Sequence, residues 1–92
     1  MRQEEKRIEQ ECVKIARRSG WDAWKNEKNG NVGIPDFSFL RGGVFFFVEF
    51  KKSNKAHISK EQKFWQNKHP EFVFFCSSVS SFLQLLKMFE EE

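Results

Sequence analysis

Two carboxylates and an amine lie on either side of a glycine pair in the middle of this chain. Asp36 precedes Gly42-Gly43, whereas Glu49 and Lys51 follow it, at the end of an apolar run over residues 44–48. A two-residue Gly-Gly connection is typical of a β-hairpin, because the favoured turns require positive φ. Paired residues are then equidistant from the two glycines, and this symmetry predicts that Asp36 lies directly opposite Glu49.

Directly opposed residues share one face of a sheet, with Cβ atoms roughly 4.5–5.5 Å apart, so Asp36 and Glu49 would repel unless a cation neutralised them. Lys51 shares the face of Glu49, because side chains repeat with period two. Glu-x-Lys alone is typical of the solvated end of an amphipathic strand. The preceding run is so apolar, however, that it should be buried. Charged residues that continue it then destabilise the fold unless they are paired or have a function. The pattern therefore predicts metal-assisted phosphodiester cleavage.

Three short motifs extend this interpretation: Gly33-Ile34-Pro35-Asp36, Val48-Glu49-Phe50-Lys51 and Ser59-Lys60-Glu61-Gln62. Together they resemble the VRR-NUC domain of the PD-(D/E)XK nuclease superfamily, including its small stand-alone virus-type members. The resemblance implies an α/β fold with a restriction-endonuclease-like α-β-β-β-α-β core, in which helices flank a mixed sheet. It implies a Mg²⁺- or Mn²⁺-dependent endonuclease acting on DNA, with residues 1–92 forming one nuclease domain.

On this hypothesis Asp36 and Glu49, with the main-chain carbonyl of Phe50, bind the metal ion. Lys51 orients the nucleophilic water or stabilises charge on the phosphorus. Gln62 matches a helical glutamine of the family at the margin of the site, although a capping-box partner is an equally good interpretation.

The first helix is a further source of a carboxylate, because a glutamate of this helix reaches toward the metal in the resembled family. The apolar face of the helix centres near Cys12; Glu5 falls close to that centre, Glu9 at its edge and Glu11 well away. We expect Glu5 to serve the site, with Glu9 as the second choice. Either glutamate considered alone is more typical of a solvated position.

The net charge of +3 conceals clusters of basic residues. Such clusters suit a phosphate backbone, whose affinity then falls with salt, although a lysine-rich segment is equally typical of a solvated surface. The candidate nucleic-acid-binding residues are Lys25, Lys28, Lys52, Lys55, Lys60 and Lys63.

The coarse pattern predicts a helix over residues 2–19, a strand over 21–25 and a hairpin over about 35–52. A second helix begins at Ser59 and ends before Pro70, a strand covers residues 72–76, and Ser77 or Ser78 caps a last helix. A strand, a crossover helix and a further strand indicate parallel pairing of the last strand. We expect the three tryptophans, and both cysteines as small hydrophobic residues, to lie in the core.

A chain of 92 residues has a modest core, and the apolar C-terminal helix offers a face for a second copy. We therefore expect a homodimer, and the resemblance implies branched DNA or four-way junctions as the substrate. No apolar run is long enough for a membrane span, and the charged N-terminus is unlike a signal peptide. We therefore expect an intracellular, cytoplasmic protein. The resemblance to virus-type members also implies that it could be virus-encoded and act in a host cell. The alternatives are a non-catalytic nucleic-acid-binding module, a dimerisation module and, more distantly, a Cys-His hydrolase.

Overall fold

The chain folds in the order α-β-β-β-α-β-α around a single mixed sheet, as the sequence predicts. The computed structural model describes residues 2–28, 30 and 32–90. Its elements are α1 (Arg2–Arg18), β1 (Asp22–Lys25), β2 (Phe37–Arg41), β3 (Val44–Phe50), α2 (Lys60–Lys68), β4 (Val73–Cys76) and α3 (Val79–Glu90). None of these helices combines the length and the apolar character needed to span a lipid bilayer.

The four strands lie in the order β1-β2-β3-β4. The first three pair antiparallel and β4 joins β3 in parallel, which confirms the predicted crossover. In the hairpin, Arg41 pairs with Val44 and Phe37 pairs with Val48. This is the register expected from the Gly-Gly turn, and one further step along it sets Asp36 opposite Glu49.

The first face of the sheet is covered by α1 and α3 and forms the main core. Phe39 and Phe46 pair across β2 and β3 with ring centroids 5.1 Å apart, and Phe89 of α3 stacks on Phe46 at 4.6 Å. Phe82 of α3 is fully buried. The apolar face of the last helix is therefore used within the chain, which corrects the prediction that this face is available to a second copy.

Cys12 and Cys76 are buried and unpaired, as predicted for core hydrophobic residues. Burial raises the pKa of the Cys12 thiol to about 12 and that of Cys76 to about 11. Both side chains therefore stay protonated and apolar at neutral pH.

The second face of the sheet carries Glu49 and is covered at one end by α2. Phe47 of β3 contacts Trp65 of α2, with ring centroids 6.0 Å apart. Trp24 also lies on this face and is 43% exposed, so the expectation that all tryptophans are core residues fails there. Trp24 is on the edge strand β1 and contacts Phe45 on the same face, whereas Trp21 is buried against Phe46.

Gly33 sets how closely the loop before Asp36 approaches α2. Its φ is +88°, and a Cβ at this position would overlap the main-chain carbonyl group of Glu61. Gly43 has a nearly identical φ of +87°, but a Cβ there would meet no atom within 4 Å. Of these two glycines, only Gly33 therefore combines a left-handed backbone with a close contact.

Gly33→Ala is expected to destabilise the fold by about 3 kcal/mol or more, since left-handed strain and overpacking add. Gly43→Ala is the matched control and should lose only about 1–2 kcal/mol from strain. Thermal melts followed by circular dichroism measure both. Equal losses in the two variants would show that contact with α2 does not constrain the Gly33 loop.

Candidate active site

The side chains of Asp36 and Glu49 lie together at the end of the β2–β3 hairpin, in a nearly buried position. Asp36 is 8% and Glu49 is 4% exposed. The Phe50 main-chain N–H donates to Asp36 Oδ2 at 3.0 Å, and the Gln62 side-chain amide donates to Glu49 Oε2 at 2.9 Å. Glu49 Oε1 is buried and accepts no hydrogen bond from the described residues. This oxygen is thus desolvated without a hydrogen bond from those residues, and the Lys28 ammonium, 3.8 Å away, offsets only part of the cost.

Burial, followed by the nearby charge of Asp36, raises the pKa of Glu49 from 4.5 to about 7. The charges of Lys28 and Lys51 act in the opposite direction and do not cancel these two effects. A perturbed pKa caused by burial together with a like charge is typical of functional sites. Glu49 is therefore only partly ionised at neutral pH in the metal-free protein.

Lys51 is held beside Glu49 by α2 and the preceding loop. Its Nζ donates to Gln62 Oε1 at 2.9 Å and to the carbonyl oxygen of His57 at 3.0 Å, and lies 3.8 Å from Glu49 Oε2. Gln62 Oε1 also accepts from the Ser59 main-chain N–H at 3.0 Å, completing a capping box. The two interpretations of Gln62 therefore coexist, because one side chain caps α2 and positions both Glu49 and Lys51.

Lys28 occupies a place that the sequence did not predict. Its Nζ lies 3.3 Å from Asp36 Oδ1 and 3.8 Å from Glu49 Oε1, so the structure brings it to the carboxylate pair. Lys25 instead lies 3.4 Å from Glu9 Oε2 and 5.6 Å from the centre of the Phe37 ring. The sequence makes both lysines candidate DNA ligands, but their surroundings differ.

Asn26 is a positioning residue that the sequence reasoning missed. Its main-chain N–H donates to the Asp36 carbonyl oxygen at 2.8 Å, and its side-chain amide donates to the Pro35 carbonyl oxygen at 2.9 Å. Ser38 Oγ donates to Asn26 Oδ1 at 2.8 Å. An asparagine after a strand indicates only a turn, so the contacts that fix the Asp36 main chain were visible only in three dimensions.

Glu5 and Glu9 are half-buried and Glu11 is exposed, in agreement with the predicted phase of α1. Among residues 2–28, 30 and 32–90, no group of three or more His, Cys, Asp or Glu side chains is arranged to hold a metal. The structure thus does not bring Glu5 or Glu9 into a common cluster with Asp36 and Glu49. Their participation stays a prediction.

The carboxylate pair nevertheless fits a hard divalent cation. Mg²⁺ keeps several waters and is commonly held by only one or two protein carboxylates. Within the described part of the chain, Glu49 Oε1 has no hydrogen-bond donor and Asp36 Oδ1 lies 3.3 Å from the Lys28 ammonium, so each carboxylate offers an oxygen to a cation. Two acidic side chains are therefore enough protein ligands for such an ion, and the part of the Phe50 main-chain carbonyl stays a prediction.

The surroundings of the pair are basic. The remaining predicted lysines are exposed on the β3–α2 loop and on the first turns of α2: Lys52, Lys55, Lys60 and Lys63. A groove of about 520 Å³ also runs along α1, with Val13 and Phe37 among its apolar lining and with a basic rim formed by Lys14, Arg17 and Arg18. Both surfaces carry charge of the sign that attracts a phosphate backbone.

The sheet is mixed and carries helices on both faces, and the acidic pair lies at the end of its central hairpin. No protein-family model and no curated protein matches the chain. Among solved structures, one described as a "VRR_NUC domain" is similar, with a TM-score of 0.83 and 24% sequence identity over 91% of this chain and 95% of the other. The chain therefore has the fold of a VRR-NUC domain, as the motifs predicted.

The raised pKa of Glu49 makes ionisation of this carboxyl group destabilising in the metal-free protein. The penalty is absent below about pH 4.5, where Glu49 is protonated in both the folded and the unfolded state, and it is fully present above about pH 7. Glu49→Gln in EDTA should therefore increase the free energy of unfolding by on the order of 2 kcal/mol at pH 8 and by much less at pH 4.5.

Denaturant melts across this pH range measure the effect, and Glu11→Gln, which removes an exposed carboxylate, is the matched control. The control should change stability little at either pH. If Glu49→Gln increased the free energy of unfolding equally at both pH values, the proposed cost of ionising Glu49 would be contradicted.

Proposed function

We propose that this protein is a Mg²⁺- or Mn²⁺-dependent endonuclease that hydrolyses DNA phosphodiester bonds. The observation that carries the proposal is the nearly buried Asp36–Glu49 pair. Glu49 Oε1 has no hydrogen-bond donor among the residues that the structure describes, and Lys51 Nζ lies 3.8 Å from the same carboxylate. The fold shared with a VRR-NUC domain supports it. A single domain over residues 1–92 is part of the same proposal.

The ion would be held by Asp36, Glu49 and the carbonyl oxygen of Phe50. When bound, Mg²⁺ or Mn²⁺ supplies Lewis-acid polarisation of a phosphoryl oxygen and lowers the pKa of water. The Phe50 N–H keeps Asp36 in place, so this ligand needs little reorganisation.

Lys51 is suited to stabilise the negative charge that grows on the phosphorus, or to orient the attacking water. Its Nζ is fixed by Gln62 and by the His57 carbonyl oxygen, both on the α2 side of the site. A preorganised cation costs no reorganisation during the reaction, and its removal often costs a few kcal/mol of transition-state stabilisation.

DNA would be bound by Lys28 at the pair and by the exposed lysines Lys25, Lys52, Lys55, Lys60 and Lys63. Each phosphate neutralised by a lysine releases a counterion, so affinity should fall as salt rises. The groove along α1 offers a second basic surface, lined by Lys14, Arg17 and Arg18. Glu5 or Glu9 would complete the site from α1 when DNA and metal are bound.

Cleavage should depend on Asp36, Glu49 and Lys51 together. Asp36→Asn, Glu49→Gln and Lys51→Met are each expected to lose about a hundredfold or more in single-turnover rate, because each removes a metal ligand or a charge at the phosphorus. The assay uses linear duplex with Mg²⁺, with Mn²⁺ and with EDTA, and EDTA should abolish the wild-type reaction. DNA binding without cleavage in either metal would favour the non-catalytic binding module.

Glu11→Gln is the matched control, since it removes a carboxylate on the exposed side of α1. The same assay on Glu5→Gln and Glu9→Gln identifies which glutamate contributes to the site. Only the variant that lacks this glutamate should cleave more slowly than the control. Gln62→Ala removes the donor to Glu49 and the acceptor for Lys51, so cleavage should slow; a lower melting temperature at unchanged specific activity would favour the capping role alone. Full activity in a triad variant would remove that residue from the mechanism.

We further propose that the protein acts as a homodimer on branched DNA. One site cuts one strand, so two symmetry-related sites suit a four-way junction. The buried face of α3 is not available, but Leu83 and Met88 of that helix and Phe64 of α2 are 45%, 49% and 63% exposed. These side chains leave apolar surface for a partner copy.

Light scattering is expected to report twice the chain mass of 11.0 kDa, and four-way junctions should be nicked faster than linear duplex of the same sequence. Leu83→Glu should shift the mass toward the monomer if α3 contributes to the interface. A monomer that cuts both DNAs equally fast would contradict the dimer and the junction preference but would leave the nuclease proposal intact.

A further inference from the structure

The ammonium group of Lys28 lies where a cation would bridge the two carboxylates. Asp36 Oδ2 and Glu49 Oε2 already accept hydrogen bonds from Phe50 and Gln62. Lys28 Nζ faces the other oxygen of each carboxylate, at 3.3 Å from Asp36 Oδ1 and 3.8 Å from Glu49 Oε1. These are the two oxygens that the fold leaves for a cation.

The two lysines of the site are held very differently. The side chain of Lys51 is 14% exposed and donates to two oxygens that α2 and the preceding loop fix in place. The side chain of Lys28 is 45% exposed and comes from the connection between β1 and Asp36. A long, flexible side chain that emerges into solvent can swing away at small cost, whereas a clamped one cannot.

Two nearly buried carboxylates need a counter-charge, since an unpaired buried charge is costly. We propose that Lys28 is the internal counter-ion of the Asp36–Glu49 pair and that a divalent cation binds by displacing it. The displaced ammonium is then free to contact a phosphate, so metal binding and DNA binding favour each other through this residue. The inference rests on the proposed function only in taking the pair as the metal site.

Removing Lys28 should tighten metal binding, because the metal no longer competes with an ammonium group. The protein is titrated with Mn²⁺ in the absence of DNA, and free Mn²⁺ is measured by electron paramagnetic resonance. The titration is made at pH 8.5, where protons compete little with Mn²⁺ for the carboxylates. Lys28→Met is expected to bind Mn²⁺ about tenfold more tightly than wild type, equivalent to about 1.4 kcal/mol. Lys28→Arg should stay near the wild-type affinity, because it restores the competing charge.

Lys87→Met is the matched control, because it removes one exposed lysine from α3 and changes the net charge equally. Its Mn²⁺ affinity should equal that of wild type.

Circular dichroism confirms that each variant is folded, and Lys28→Gln replaces Lys28→Met if the latter is not. If wild type binds Mn²⁺ and neither neutral variant binds it more tightly than Lys87→Met, the counter-ion proposal is wrong while the metal site stands. If no variant binds Mn²⁺, the metal site and this proposal fail together.

The second half of the proposal is tested by DNA affinity. In EDTA, Lys28 is occupied by the carboxylates, so wild type and Lys28→Met should bind duplex DNA about equally. In Ca²⁺, wild type should bind about threefold more tightly than Lys28→Met, since one more lysine reaches a phosphate. An equal gain on adding Ca²⁺ in both proteins would show that Lys28 does not couple the two binding events.

Discussion

The constraint on which the rest of this structure depends is the enforced proximity of Asp36 and Glu49. The hairpin register places them opposite each other, and the surrounding fold leaves both less than a tenth exposed. Burial and mutual repulsion raise the pKa of Glu49 to about 7, so the pair is a local source of instability. A cost in stability of this kind is typical of functional sites, where charged groups are kept for activity although they destabilise the fold.

The neighbouring groups reduce this cost without removing it. A main-chain N–H of β3 and the amide of Gln62 each satisfy one carboxylate oxygen, while Lys28 and Lys51 supply positive charge. Gln62 connects the pair to the N-terminus of α2, and Gly33 allows the loop before Asp36 to approach the same helix. The position of α2 is therefore coupled to the geometry of the site, although the main core lies on the other face of the sheet.

The two faces of the sheet thus separate the main aromatic core from the acidic pair. The aromatic packing of β2 and β3 against α1 and α3 fixes the sheet, for example through Phe46 and Phe89. The opposite face is covered only in part, so the Lys28 side chain beside the nearly buried acidic pair reaches solvent there. A substrate could then enter at the end of β3 without disturbing the core, and a counter-ion such as Lys28 could leave without a change of fold.

Local patterns in the sequence determined the elements, the hairpin register and the candidate residues Asp36, Glu49, Lys51 and Gln62. Period-two alternation, a Gly-Gly turn and a capping box are short-range signals, and each acts over a few residues. Only the tertiary structure decided that Lys28 reaches the carboxylates, that Asn26 braces the Asp36 main chain and that the apolar face of α3 is used internally. These outcomes depend on contacts between segments that are distant in sequence. The local sequence of a polar loop or an amphipathic helix does not indicate which segment it will contact.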